Sequence, residues 1–320
     1  LPVQSGKTRM KTRIIIGSRG SKLALIQAGL VMAEIKKTNP HLKVSISQIT
    51  TSGDRESYKQ FDNIEGNGVF VKELETALLD GKIDFAVHSL KDMPAEIPQG
   101  LSLAAVTQRL DPRDVLISAG AKRLAEMPPG ANIGTGSPRR AVQLTVYRPD
   151  LKTRSIKGNV DSRLSRITNN ELDGVIIAAA GLIRLGWEDR ISDYLPIEYF
   201  LPAVGQGALA IETRIDDEET VRLVSGINHL PTRQSVTAER ALLRTMGGDC
   251  HAPIAALGTL SGKTLRLRGM FAEPDRNQIV TDTEEGATTE AEEIGICLAR
   301  KLLNRRTAGL TLEARKNDHR

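Results

Sequence analysis

The chain has 320 residues, 40% of them hydrophobic and 26% charged, with 44 Lys and Arg against 39 Asp and Glu. That length exceeds one ordinary domain and points to two or three, with a composition ordinary for a soluble globular protein. Aromatic residues are only 3%, so the core must rest on Leu, Ile, Val and Ala, and modules that stack nucleic-acid bases on aromatic rings are disfavoured.

The net charge of +5 is modest and spread along the chain. No run of five or six like charges suggests a nucleic-acid partner. The two cysteines, Cys250 and Cys297, are far apart. A disulfide framework or cysteine-based metal site is not expected, and a reducing, cytoplasmic setting fits. No apolar stretch is long enough to span a membrane. Residues 1–9 are polar, lack the apolar core of a signal peptide and read as a tag remnant, an upstream extension or a disordered lead-in.

Three consecutive isoleucines at 14–16 predict a buried strand over 13–17. A helix follows from Ser21, with Leu23, Ile26, Leu30 and Ala33 on its apolar face. A strand over 43–49, a helix over 69–79 ending before Gly81, and a strand over 83–88 complete a β-α-β-α-β run that implies a parallel sheet. A second unit has strands over 115–118 and 132–134, then a helix over 137–146 with Ser137 as N-cap and Pro138 first in the helix. It continues with a strand over 152–156, a helix over 160–169 and a strand over 174–179. From about 248 the pattern changes to an antiparallel meander, with strands over 265–271 and 278–282, and a helix over 288–303. Cys297 falls on the apolar side of that helix and should be buried and inert.

Four segments carry chemistry. The first, Val87-His88-Ser89-Leu90-Lys91-Asp92-Met93-Pro94, leaves a buried strand where α/β sheets place ligand loops. It offers a carboxylate and a cation to one small ligand, or Lys91 and Asp92 are simply a surface pair. The second, Gly134-Thr135-Gly136-Ser137-Pro138-Arg139-Arg140, makes a helix start that attracts anions, or a well-capped surface helix. Two arginines in a first turn oppose the helix dipole and need another reason to be there. The Walker spacing of a P-loop is absent.

The third segment, Lys157-Gly158-Asn159-Val160-Asp161-Ser162-Arg163, repeats the theme with Asn159 as cap. Arg19 and Arg184 also follow strands, so several cations could meet in one cleft around a ligand with several carboxylates, although any one of them could be a solvated charge. The fourth segment, Gly247-Gly248-Asp249-Cys250-His251-Ala252-Pro253, puts a cysteine in a glycine-rich loop. Adjacent Cys and His rarely make a nucleophilic pair, and a buried inert thiol is the plainer reading.

Taken in order, these stretches resemble the porphobilinogen deaminase family from about residue 13 to 303. The resemblance is carried by Ile16-Gly17-Ser18-Arg19-Gly20-Ser21, Leu23-Ala24-Leu25, Thr51-Ser52-Gly53-Asp54, Phe70-Val71-Lys72-Glu73-Leu74 and Ala86-Val87-His88-Ser89-Leu90-Lys91-Asp92. Asp111-Pro112-Arg113-Asp114, Pro202-Ala203-Val204-Gly205-Gln206-Gly207 and the Cys250 loop complete it.

The resemblance implies an α/β fold of two lobes like those of type II periplasmic solute-binding proteins, plus a small C-terminal α+β domain. The implied boundaries are 11–107 with 208–226, 112–203, and 230–320. It implies a transferase of tetrapyrrole synthesis, a monomer with no nucleic-acid or membrane partner. Such an enzyme condenses four porphobilinogens with loss of ammonia and releases hydroxymethylbilane by hydrolysis. Its cofactor would be a dipyrromethane, joined to Cys250 by a thioether.

Asp92 matches the family's catalytic aspartate, suited to stabilising positive charge on a pyrrole and relaying protons. Arg139, Arg140, Lys91, Ser89, Ser137, Thr135 and Asp92 would hold the cofactor. Arg19, Ser21, Arg163, Arg184, Gln206 and Phe70 would hold substrate. Three positions depart from the family pattern: Asn67 stands for Lys, Gly136 for Ser, and Lys157 for Arg. Gly136 should thereby lose a hydroxyl contact, and Lys157 bidentate carboxylate recognition. A non-enzymatic solute-binding or ligand-sensing protein would share the two-lobed fold, but the Cys250 loop disfavours it. A cysteine hydrolase lacks convincing distant partners.

Overall fold

The computed structural model describes residues 11–51, 71–248, 252–273 and 278–317. The chain opens with β1 (Arg13–Arg19), α1 (Lys22–Thr38), β2 (Lys43–Ile49), α2 (Lys72–Leu79), β3 (Phe85–Ser89) and β4 (Leu101–Val106). It crosses to β5 (Asp114–Ser118), β6 (Asn132–Thr135), α3 (Pro138–Tyr147), β7 (Lys152–Ser155), α4 (Val160–Thr168), β8 (Gly174–Ala178), α5 (Ala179–Leu185) and β9 (Asp193–Tyr194). It then returns through β10 (Leu209–Arg214) and α6 (Glu218–Ser225). Last come α7 (Leu230–Thr245), β11 (Ile254–Ser261), β12 (Thr264–Glu273), β13 (Gln278–Ala287) and α8 (Ala291–Asn317).

Two five-stranded sheets result, ordered β2-β1-β3-β10-β4 and β7-β6-β8-β5-β9. In each, three strands are parallel and the fourth runs antiparallel to its neighbours. That fourth strand, β10 or β5, enters from the opposite lobe, so the chain passes between lobes twice. The sheets are therefore mixed rather than wholly parallel. The reason is topological: a strand that arrives through a crossing segment inserts against β3 or β8 without the helical crossover that enforces parallel pairing.

On the first sheet, Ile14, Ile16, Phe85, Val87, Leu209 and Ile211 pack against α1. The buried side of α1 is Gln27, Ala28, Val31 and Ile35. Leu30 and Ala33, expected inward, are exposed. The helix is so rich in apolar residues that periodicity alone marks two competing faces. On the opposite side of that sheet, Leu74 and Leu78 of α2 cover Ile83 and Ala86.

The third unit is the meander β11-β12-β13, antiparallel throughout. α7 and α8 cover one face, packing Leu242, Leu298 and Leu302 against Leu267 of β12. Val142 of α3 packs on the other face, against Leu257 and Met270. α8 extends beyond residue 303, the end read from sequence. Cys297 is exposed, which corrects the expectation of a buried thiol: the inward positions around it are Ile294, Leu298 and Leu302.

One side chain of α7 ties the units together. Glu239 is fully buried. It accepts hydrogen bonds from the Gly205 amide at 2.7 Å, from the Gly258 amide at 2.9 Å and from Arg109 Nη2. Arg109 lies on the first crossing, Gly205 on the second and Gly258 on β11.

Candidate functional site

β3 delivers the first chemical loop. Leu90 and Met93 are anchored in an apolar cluster with Val106, Ala208, Ala210 and Val236, and the Leu90 amide donates to the Ala208 carbonyl at 3.1 Å. The intervening 3-10 turn, Leu90–Asp92, leaves Lys91 and Asp92 half-buried. Gln27 of α1 orients Ser89, its Nε2 donating to Ser89 Oγ at 2.9 Å.

The second lobe supplies the facing groups. Arg139 and Arg140 are 3% and 5% exposed, which answers the puzzle of two arginines in a first helical turn. Their counter-charge is Asp114 at the start of β5. Arg139 Nη1 donates to Asp114 Oδ2 at 2.8 Å and to the Leu201 carbonyl at 2.6 Å. Arg140 donates from Nε and Nη2 to Asp114 Oδ1. Burial alone would raise the Asp114 carboxyl, but Arg139 and Arg140 hold it well below the usual carboxylate range.

Gln206 is fully buried. Its Nε2 donates to the Pro112 carbonyl and to Asp114 Oδ1, and its Oε1 accepts from Arg140. The structure thus places Gln206 in the interior, where its amide steadies Arg140 and Asp114, and not as a side chain open to substrate.

Arg163 approaches from α4, whose cap Asn159 accepts from the Ser162 amide at 2.9 Å. Its Nε donates to the Gly158 carbonyl. Burial brings Arg163 down to about 10, helped by Arg140 and opposed by Asp92. Lys91 is brought down to about 8 by burial and then Arg140, against Asp92 and Asp114. So Lys91 and Asp92 of one lobe and Arg140 and Arg163 of the other feel one another's charge. With Arg139 and Arg140 already committed to Asp114, the charge of Arg140 still depresses both Lys91 and Arg163. Such a cluster is relieved by an anion, best by carboxylates that accept charge-assisted hydrogen bonds.

Arg184 donates from Nη2 to the Gly207 carbonyl at 2.7 Å, and burial brings it down to about 10. Arg19 ends β1, half-buried. Ser21 caps α1, its Oγ accepting from the Ala24 amide. Next to it, the Lys22 ammonium stands 4.7 Å from the Trp187 ring centre, a contact from lobe to lobe. Thr135 is buried, and its Oγ1 accepts from the Ser137 amide at 3.2 Å. Ser137 occupies the N-cap of α3 without a side-chain capping bond.

Gly136 has a steric reason that sequence could not show. A Cβ there would lie 2.4 Å from the Ile156 carbonyl oxygen, so a serine hydroxyl does not fit this turn. Lys157 is exposed. Cys250, Phe70, Asn67 and Asp54 lie outside the described residues. Gly248 and Ala252 flank the Cys250 loop, which joins the end of α7 to β11.

Asp114 and Gln27 escaped sequence reasoning as functional residues. Asp114 did leave a signal, a carboxylate opening the apolar run Val115-Leu116-Ile117, since a charge at a buried strand end requires partners.

Fold and site together define a two-lobed α/β protein whose facing loops bring Lys91 and Asp92 of one lobe toward Arg140 and Arg163 of the other. The family profile "Porphobilinogen deaminase, dipyromethane cofactor binding domain" matches residues 14–222. "Porphobilinogen deaminase, C-terminal domain" matches residues 233–304. The porphobilinogen deaminase of Geobacter metallireducens is 50% identical over 90% of each chain. That of Syntrophomonas wolfei is 46% identical over 94% of this chain and 98% of its own. The chain belongs to the porphobilinogen deaminase family, transferases of tetrapyrrole synthesis that carry a dipyrromethane cofactor. Among solved structures, the periplasmic VFT2 domain of BvgS from Bordetella pertussis aligns at a TM-score of 0.40 and 13% identity, over 68% of this chain and 86% of that one. That alignment carries no further argument; the lobes are defined by their strand order.

Proposed function

We propose that this enzyme joins four porphobilinogens head to tail at Asp92 and releases hydroxymethylbilane by hydrolysis, with Cys250 as the attachment point of its dipyrromethane. The observation that carries this reading is the set of cations, Lys91, Arg140 and Arg163, gathered from both lobes around Asp92. A dipyrromethane bears several carboxylates, and the donor set suits them: Lys91 and Arg163, backed by Arg140 and Arg139. When bound, it supplies the free pyrrole carbon onto which the next unit is joined.

The chain's own groups then divide the work. Arg163, Arg184, Arg19 and Ser21 orient the acetate and propionate of incoming porphobilinogen. Ser89, Thr135 and Ser137 offer neutral polar contacts to the cofactor, and Phe70 an apolar one to substrate. Asp92 faces the ring nitrogens and stabilises the positive charge created as ammonia leaves, holding or relaying the proton given up when the new bond forms. Arg139 and Gln206 act on this site through Asp114 and Arg140.

The sheets support a first domain over 11–107 with 208–226, a second over 112–203 and a third over 230–320. The same reading makes the enzyme a cytoplasmic monomer without a nucleic-acid partner. No helix among the described residues is long and apolar enough to cross a membrane.

Intact-mass measurement of freshly purified protein tests the attachment. We expect the added mass of two linked pyrroles, mapped to Cys250 and lost in Cys250→Ser together with turnover. Active protein of unmodified mass, or an adduct on Cys297, overturns it. Asp92→Asn should keep the fold and the adduct yet slow single-turnover elongation by about a hundredfold or more. Near-normal elongation would move the catalytic role elsewhere, to Asp54 first.

A further inference from the structure

Beneath the catalytic loop lies a second set of titratable groups that the reaction above leaves unused. His88 on β3, Glu212 on β10 and Glu75 on α2 lie on the face of the first sheet that α2 covers. His88 Nε2 donates to Glu212 Oε2 at 3.0 Å, with side-chain exposures of 3% and 0%. The other Glu212 oxygen, Oε1, is buried with no hydrogen-bond partner among the described residues, and so is Glu75 Oε1. Glu75 is 8% exposed.

A bare buried carboxylate is costly, and a second one on the same face of the sheet raises the cost. One proton relieves both: it neutralises Glu75 and turns an acceptor into a donor. The surrounding charges favour that outcome. Burial and then Glu212 push the Glu75 carboxyl up, and together they outweigh His88 and Lys72. Arg240 of α7 feels Glu212 but spends its Nη2 on the carbonyls of Pro94 and Ala95. Arg214, also on β10, is spent on the carbonyls of Leu78 and Ile83 and on Asp217. Glu96, which is exposed, shares with Glu75 and Lys72 the lining of a 390 Å³ cleft.

The cluster bears directly on the catalytic loop. His88 sits opposite Ala210 and Ser89 opposite Leu209, and the next amide, Leu90, donates to Ala208. The β3–β10 pairing holds the chain up to the residue before Lys91. A second negative charge beside Glu212 would compete for His88 and strain that pairing.

We propose that Glu75 is a positioning residue of this enzyme: in its neutral form it keeps the Glu212–His88 contact and the end of β3 in place under Lys91 and Asp92. The activity arm of the test rests on Asp92 as the catalytic carboxylate; the other arms do not.

The test is E75Q, whose amide resembles a neutral carboxyl. A carboxyl raised in the folded state binds more protons there than in the unfolded chain, so wild-type stability falls as pH rises through that window. E75Q lacks this loss. Its melting temperature relative to wild type should therefore climb from pH 5 to pH 8. The ratio of its kcat to that of wild type should rise by about threefold or more between pH 6 and pH 9, with KM for porphobilinogen unchanged. Titration of Lys91 is common to both proteins and cancels in the ratio.

Infrared spectra of wild-type holoenzyme with labelled glutamate should show the carbonyl stretch of a neutral carboxylic acid at pH 7, absent in E75Q. If E75Q does not fold, titrating that band in wild type decides the matter. A missing band at pH 7, an E75Q deficit equal at pH 5 and pH 8, or a flat kcat ratio overturns the proposal. Failure of Asp92 in its role would show in Asp92→Asn elongation and leave the band untouched.

Discussion

Arg140 donates from both Nε and Nη2 to one oxygen of Asp114, at 2.9 and 2.7 Å, with the carboxylate fully buried. Arg139 takes the other oxygen. The arginines most easily read from sequence as ligand-binding are thus held first by the protein itself, and present whatever charge remains to the space between the lobes.

Asp114→Asn should therefore be more damaging than loss of any exposed carboxylate. It leaves two buried guanidiniums without their counter-ion, which costs about 3–5 kcal/mol. Because the folded carboxyl is held far below its unfolded value, its contribution is complete above the ordinary carboxylate range and is lost only as pH falls through the depressed folded value. Denaturant unfolding should show the same deficit at pH 6 and pH 8, and the variant should carry little dipyrromethane by mass. A variant with normal stability would show that the arginines have other counter-charges.

Lys91 gives a proton signature. Its folded value of about 8 lies below the usual lysine value. Charged Lys91 therefore costs stability fully below about pH 8, and that cost fades as pH rises toward the unfolded value. A carboxylate bound beside it would draw the value back up. Porphobilinogen binding to holoenzyme near pH 8 should take up a fraction of a proton, up to about half. Calorimetry in buffers of different ionisation heat measures this, and Lys91→Met should abolish it. Proton release on binding would show that no ligand carboxylate meets Lys91.

By sequence alone, Gly136→Ser restores a family hydroxyl. The close approach of the Ile156 carbonyl predicts the opposite. The turn must shift, moving Ser137 and the start of α3. We expect a loss of about 1–3 kcal/mol and a higher KM for porphobilinogen. Unchanged stability with improved KM would mean that the turn adjusts freely.

Much of this protein was legible in its sequence. Ile14, Ile15 and Ile16 marked a strand, Asn159 marked a cap, and the loop from His88 to Asp92 stood out because it offers a carboxylate and a cation where α/β sheets place ligand loops. These are local signals, set by the periodicity of side chains and by the needs of orphan backbone groups. Cys297 shows their limit: its helix was recognised, but which face met the meander depended on where α7 lay.

The family resemblance had implied that 208–226 belongs with the first lobe, but only the tertiary structure placed β10 between β3 and β4 and antiparallel to both, because a strand that follows an entire second lobe has no local mark of its partner. Only it showed that Asp114 neutralises Arg139 and Arg140, that Gln206 faces inward and that Gly136 must lack a side chain. Those facts depend on distances between segments far apart in the chain, and electrostatic and steric energies depend on distance in space.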